Sequence, residues 1–194
     1  MANNKSSVSA LFIISVSVAS FLLAVAFFWL SQIISDKIQS LVISVIFLSF
    51  IVLVGILADI IGVSVTAASE VPLHAKAAKK VPGAAEGVFL IRNADRVANL
   101  MNDVVGDIAG TVSGALGIAL VLQLMAYWRD SSQFLLNMLL TALIASVTVG
   151  GKAYGKRIAL VHADNVVFLV GRFLNGITRF TGRDLTARTR KNSR

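Results

Sequence analysis

Residues 102–117 read NDVVGDIAGTVSGALG and open an apolar segment long enough to cross a bilayer. Asp103 and Asp107 lie one helical turn apart within this stretch. An ionised aspartate at the centre of a membrane helix costs about 3 kcal/mol or more unless it is paired or hydrated, so Asp107 is a candidate functional residue. Gly106 and Gly110 allow a neighbouring backbone to approach closely, although such spacing more often reflects helix packing than a binding site.

The composition indicates an integral membrane protein. Of the 194 residues, 56% are hydrophobic and 14% are charged, whereas roughly 25% are charged in soluble domains. Apolar runs at 8–34, 41–65, 104–127 and 134–149 have lengths near the roughly 20 residues that a spanning helix needs. The first run far exceeds the apolar region of a signal peptide, so we interpret it as a retained span. We predict an all-α integral membrane protein with about four transmembrane helices: one extra amino-terminal span plus a three-helix core.

The distribution of Lys and Arg predicts the orientation. They are concentrated in the connector 71–103 and in the segment after the fourth run, residues 150–194. Short loops rich in Lys and Arg remain on the cytoplasmic side of a membrane. We therefore predict a multi-pass protein of the cytoplasmic membrane with both termini in the cytoplasm. Most of the net charge of +8 would then lie on the side of the membrane that carries anionic lipids. Membrane lipids are therefore the expected partners, and we do not expect nucleic acid to bind.

Two segments outside the spans are predicted to be amphipathic belt helices in the inner interface, at 83–102 and 165–180. After residue 182 the tail has almost no apolar content and is predicted to be disordered or lipid-associated. We therefore divide the chain into an amino-terminal transmembrane helix with a short loop (1–40), a membrane domain (41–182) and a basic cytoplasmic tail (183–194).

Polar residues follow one face of each of the three core spans. Asp59 and Glu70 share a face of the second span, Asp103 and Asp107 open the third, and Lys152 ends a polar stripe on the fourth. This convergence predicts a polar vestibule open to the cytoplasm. In an alternative interpretation, Glu70, Asp103 and Lys152 extend their charged groups to the membrane interface or neutralise one another, and they form no binding site. For Asp59 and Asp107 the alternative is a buried pair with Lys152.

Several kinds of chemistry are excluded or disfavoured. No cysteine is present, which excludes thiolate ligands and nucleophiles. The stretch GGKAYGKR at 150–157 lacks the Ser or Thr of a phosphate-binding loop and follows a membrane helix. His74 and His162 do not have metal-ligand spacing. No serine is placed with a base and an acid, so we predict no catalytic residues and no enzyme.

Three stretches carry a resemblance to a known family. They are AASEVPLHAKAAKK at 67–80, RNADRVANLMNDVVGDIAGTVSGALG at 92–117 and VTVGGKAYGKRIALVHADNVVFLVGRFLNGITR at 147–179. In this order they resemble the membrane domain of the CorC/cyclin M family of magnesium and divalent-cation transporters, over about 41–179. The resemblance implies a homodimer whose three core helices hold a dehydrated divalent cation in an inward-facing cavity, with efflux coupled to sodium. We expect no counterpart here of the paired nucleotide-sensing (CBS) domains usual in that family.

The resemblance implies a site on the core helices. The family's Ser/Ala-rich stretch and glutamate correspond to 67–70, and its Glu-x-x-Pro-Lys motif corresponds to 152–156, where Lys152 replaces the glutamate. The leading hypothesis is magnesium transport through oxygen ligands that hard cations favour. The cation-attracting carboxylates are Glu70, Asp103 and Asp107, the neutral oxygens come from Thr66, Ser69 and Ser113, and Gly106 and Gly110 allow close helix approach. The alternative is a non-transporting membrane scaffold or partner subunit in which Lys152 pairs with Asp107 and replaces the metal.

Overall fold

The computed structural model describes residues 10–37, 40–127 and 132–181. Of these residues 93% are helical and none is in a strand, which confirms the all-α class. The α-helices are α1 (Ala10–Lys37), α2 (Leu41–Ala67), α3 (Glu70–Ala78), α4 (Ala84–Arg92), α5 (Ala94–Ala98), α6 (Asp107–Tyr127), α7 (Gln133–Val161) and α8 (Ala163–Thr181); a π-helix, Asn99–Gly106, joins α5 to α6.

Three continuous helical segments among the described residues are long and apolar enough to cross a membrane. They are Leu41–Ala67, Ala94–Ala126 and Gln133–Val161. The predicted first span forms α1, whose apolar part in the described chain is the shorter Ile14–Trp29. A fourth span therefore stays a prediction. The tail at 183–194, predicted to be disordered or lipid-associated, lies outside the described residues.

The core lies between α2 and α6. Its buried residues are Leu48, Ile51, Val52, Val104, Ile108, Ala109, Val112, Leu116 and Leu120. Ser44 of α2 donates a 3.1 Å hydrogen bond to Gln123 near the end of α6, while Gly55 lies against Ala109 near the start of α6, so α2 and α6 run antiparallel. Helix α1 covers part of this core through Val16, Leu23, Ala24 and Phe27.

The predicted amphipathic segment at 83–102 is not one helix. Asn93 ends α4 and α5 begins directly after it, and the π-helix follows. The Asn93 side-chain amide donates to the carbonyl oxygen of Phe89 at 2.8 Å, which offers the backbone an alternative to a continued helix. The segment that is long and apolar enough to cross a membrane consequently begins at Ala94, ten residues before the predicted start of the third span.

The second predicted amphipathic segment forms α8, which packs on α4. Gly171 of α8 lies so close to the Gly83 carbonyl oxygen that a methyl group at 171 would have no room, and it would also lie 2.9 Å from the Gly87 nitrogen. A second apolar cluster fills this junction, with Val65, Leu73, Val88, Leu90 and Val167 buried. The glycines thus hold α8 against the short helices that follow α2.

Candidate functional site

A buried carboxylate lies where α2, α7 and the π-helix meet. Asp59 of α2 is 5% exposed and lies about two turns before the helix ends. Lys156 of α7 places its Nζ atom 3.7 Å from Asp59 Oδ2. That separation makes an ion pair but exceeds a hydrogen bond, and Asp59 Oδ2 has no hydrogen-bond partner among the described residues. The Lys156 side chain is 54% exposed, so its ammonium group also reaches solvent-accessible space.

Glycines on α7 bring the two helices together. A Cβ atom at Gly155 would lie 2.7 Å from Ile60 Cγ1, and one at Gly151 would meet the end of Ile56. Side chains of α2 thus fill the space that the missing Cβ atoms leave, which permits close helix contact. Gly151 and Gly155 of the GGKAYGKR stretch therefore serve packing, whereas a Cβ atom at Gly150 would meet no atom within 4 Å. The close contact sets Lys156 beside Asp59.

The π-helix supplies a second polar side chain. Asn102 packs directly against Gly62 of α2, one turn beyond Asp59. Its Oδ1 atom is buried and has no hydrogen-bond partner among the described residues. Short π-helical segments are frequent at functional sites, so the position of this π-helix beside Asp59 supports the choice of this region as the candidate site.

Lys152 lies one turn before Lys156 on the same face of α7. Its Nζ atom is 3.4 Å from the position that a Cβ atom of Gly106 would take, and Gly106 in turn lies against Gly55 of α2. The ion pairs formed among the described residues join Glu70 to His74 and Arg92, and Asp59 to Lys156. Among the described residues Asp59 is thus paired with Lys156, and neither predicted pair of Lys152, with Asp107 or with Asp59, is formed.

The predicted metal-binding residues are dispersed. Asp103 accepts a 2.7 Å hydrogen bond from Asn99, and Asp107 is exposed at the start of α6. The hydroxyls of Thr66 and Ser113 donate to backbone carbonyl oxygens of their own helices. Within the described ranges, no three His, Asp or Glu side chains are grouped as a metal ion would need. Of the two predicted close-approach glycines, Gly106 is buried, whereas a Cβ atom at Gly110 would meet no atom within 4 Å.

Glu70 and Ser69 belong to a separate cluster beyond the carboxyl end of α2, so the prediction that Glu70 lies on the second span with Asp59 is wrong. Ser69 begins α3 by accepting a hydrogen bond from the Val71 nitrogen, and its own nitrogen donates to Asp164 Oδ1 at 2.8 Å. The Glu70 carboxylate accepts from His74 at 2.9 Å and from Arg92 at 3.3 Å. Hydrogen bonding to His74, with further contributions from Arg92, lowers the pKa of Glu70. This cluster fastens α3 to α4 and α8.

No known protein family, curated protein or solved structure matches this chain. The resemblance to CorC/cyclin M transporters therefore stays a prediction that rests on the three quoted stretches.

Several site residues were not predicted from the sequence. Lys156, Asn102 and Gly62 were not assigned to the site, although Asp59 and Lys152 were. A usable signal existed, because Lys156 follows Lys152 by four residues and Gly62 follows Asp59 by three, spacings that keep each pair on one helix face. Asn102 could not be found in this way, since its direction depends on the π-helix.

Proposed function

We propose that the chain is a multi-pass protein of the cytoplasmic membrane that acts as a non-transporting scaffold or partner subunit. The observation that carries the proposal is the Lys156 ammonium 3.7 Å from the buried Asp59 carboxylate. A lysine side chain thereby occupies the place beside the carboxylate that a bound cation would take. In this arrangement α1 is a fourth span, α4 and α8 lie at the inner interface, and both termini are cytoplasmic.

The local charge supports this proposal. Lys156 is paired with Asp59, and Lys152, one turn earlier on α7, places a second ammonium group beside Gly106 of the π-helix. Like charges repel strongly where the dielectric constant is low, so a divalent cation would be disfavoured there. Helix α7 also exposes large apolar side chains, among them Leu139, Leu143 and Val147, and this exposed surface supports a role in assembly. A second copy of the chain, forming a homodimer, is the partner we propose for that surface.

The pair can be tested by a double-mutant cycle on the purified protein in detergent. Lys156→Met strands the Asp59 carboxylate and should lower the free energy of unfolding by about 1–3 kcal/mol, below the value for a fully buried pair because Lys156 is half-exposed. Asp59→Asn combined with Lys156→Met should recover much of that loss. Arg157→Met removes an exposed neighbouring charge and is the control. Equal stability of the Lys156→Met and Arg157→Met variants would contradict the proposed pair.

A second candidate function, divalent-cation transport with magnesium as the transported ion, is favoured by a different observation. Asp59 Oδ2 and Asn102 Oδ1 are buried without hydrogen-bond partners among the described residues, and Asn102 packs against Gly62, one turn from Asp59. Hard cations bind carboxylate, amide and hydroxyl oxygens. In this alternative Lys156 swings toward solvent, which its exposure permits, and the cation replaces its ammonium group.

Proteoliposome flux separates the two functions. Under the scaffold proposal, wild-type protein carries no magnesium, with or without a sodium gradient, and calorimetry detects no magnesium binding. Saturable flux that disappears in Asp59→Asn, or in Asp107→Ala as the family resemblance implies, would establish transport and end the scaffold proposal. Lys156→Met gives an added contrast, because it should improve cation binding if the lysine competes with the ion.

A further inference from the structure

Helix α8 presents three distinct faces. One face packs on α4 through Val167 and Gly171, which are buried. A second exposes large apolar side chains one turn apart, with Leu169 at 66% and Phe173 at 70% exposure. Arg172 and Arg179 are exposed along the edge between these faces. A helix with an apolar row beside a basic edge is suited to the boundary between lipid headgroups and hydrocarbon.

The backbone contact between α8 and α4 brings Arg172 to a turn that carries further positive charge. A Cβ atom at Gly83 would lie 2.5 Å from the Arg172 nitrogen, so the two backbones are in direct contact. The turn between α3 and α4 holds Lys79 and Lys80, both exposed. Lys80 has a φ of 56°, in the left-handed region, which folds the chain sharply here. We call Lys79, Lys80 and Arg172 the basic corner.

The basic corner is not neutralised within the described chain. None of its three residues forms an ion pair with another described residue. The acid in the first turn of α4, Glu86, is 8% exposed and accepts a 2.7 Å hydrogen bond from Asn175, so its charge is engaged inside the α4–α8 junction. Lys76 is engaged too, because its Nζ atom lies 4.1 Å from the centre of the Phe168 ring and tethers α3 to α8.

We propose that the basic corner and the adjacent apolar row, Leu169 and Phe173, bind one anionic phospholipid of the inner leaflet. The phosphate group binds at Lys79, Lys80 and Arg172, and the acyl chains pass the apolar row. Juxtamembrane clusters of Lys and Arg attract anionic lipid at about 1 kcal/mol for each residue, which supports a headgroup site. The row argues for a lipid over free phosphate, because phosphate leaves those side chains exposed. This inference rests on the proposed membrane location of the chain.

The test measures which lipid the full-length protein retains. Purified protein in detergent is mixed with phosphatidylglycerol and phosphatidylcholine of the same acyl composition, and native mass spectrometry counts the bound lipid. Wild-type protein should prefer phosphatidylglycerol by on the order of tenfold or more. The preference should be lost in Lys80→Asn/Arg172→Gln, where asparagine tolerates the left-handed backbone. The control, Arg96→Gln/Arg157→Gln, removes the same charge from exposed positions elsewhere and should keep the preference.

Three results would overturn the site. The first is equal retention of both lipids by wild-type protein, a result that needs no variant to fold. The second is an equal loss of preference in both double variants, which would indicate net charge alone. The third is full displacement of phosphatidylglycerol by inorganic phosphate together with unchanged lipid binding in Leu169→Gln/Phe173→Gln, which would assign a free-phosphate site. Release of the chain from membranes by alkaline carbonate would instead contradict the proposed membrane location. This measurement therefore distinguishes failure of the lipid site from failure of the proposed membrane location.

Discussion

At the residue scale, the Glu70 cluster couples stability to pH. Glu70 opens α3 and accepts hydrogen bonds from His74 in the next turn and from Arg92 at the end of α4. These contacts favour the ionised carboxylate, which is why the pKa of Glu70 lies below its usual value of 4.5. The cluster is at the surface, beyond the end of α2, so solvent screens it and its contribution is modest.

The pH dependence of that contribution has a defined sign. Because the pKa of Glu70 is lower in the folded chain than its unfolded value of 4.5, its stabilisation is fully present above pH 4.5 and is lost as the pH falls through the folded-state pKa. Wild-type protein should therefore be more stable than Glu70→Gln above pH 4.5, and the difference should shrink on further acidification. Thermal unfolding in detergent between about pH 3 and 7 measures this. A difference that persists unchanged at the acid end would refute the assignment, and an Arg92→Gln background should reduce it.

At the element scale, the long helices could be predicted from the sequence, whereas α3 lies in a segment that was interpreted only as a basic connector. Long apolar runs identified α2, α6 and α7, and apolar residues at helical spacing identified α8. The break at Asn93 and the π-helix were not predicted, because a short change of helix type leaves the hydrophobic pattern almost unaltered. One member of the buried ion pair was predicted. Asp59 was named as a candidate together with Lys152, but the lysine that pairs with Asp59 is Lys156. The turn of α7 that meets Asp59 depends on how far the helices slide past each other, which helical periodicity does not contain.

The junction of α8 with α4 permits a matched pair of substitutions. At Gly171 a methyl group would meet the Gly83 carbonyl oxygen and the Gly87 backbone, atoms that cannot rotate away. Gly171→Ala should therefore destabilise the protein by about 1–3 kcal/mol. At Gly176, on the same helix, a Cβ atom would meet nothing within 4 Å. Gly176→Ala should instead stabilise by about 0.5–1 kcal/mol through helix propensity. Chemical unfolding in detergent compares the two, and changes of the same sign would contradict the packing described for α8.

At the scale of the whole molecule, helix directions restrict the topology. Helix α6 runs antiparallel to α2. The successive contacts of Gly151 with Ile56 and of Lys156 with Asp59 show that α7 runs parallel to α2. The carboxyl-terminal ends of α2 and α7 consequently lie at the same end of the helix bundle, together with α3, α4 and α8. The basic corner and the Glu70 cluster share that side, which is the side proposed to be cytoplasmic.

The absence of cysteine makes this orientation directly testable. Lys79→Cys places one thiol at the basic corner, and Ser132→Cys places one at the exposed residue before α7, at the other end of the bundle. In right-side-out vesicles, a membrane-impermeant maleimide should label Ser132→Cys and should reach Lys79→Cys only after permeabilisation. The reverse pattern would invert the proposed topology, and labelling of both from outside would argue against a membrane barrier between them.

The π-helix at Asn99–Gly106 affects how this chain can be compared with others. A π-helical turn holds more residues for a given rise than an α-helical turn, because its hydrogen bonds link residue i to residue i+5. Residue count and height along the helix axis therefore fall out of step across Asn99–Gly106. A comparison that advances residue by residue through an α-helical counterpart would misplace everything on one side of this segment, Asn102 included. A comparison made by height along the axis would keep the flanking helices in correspondence.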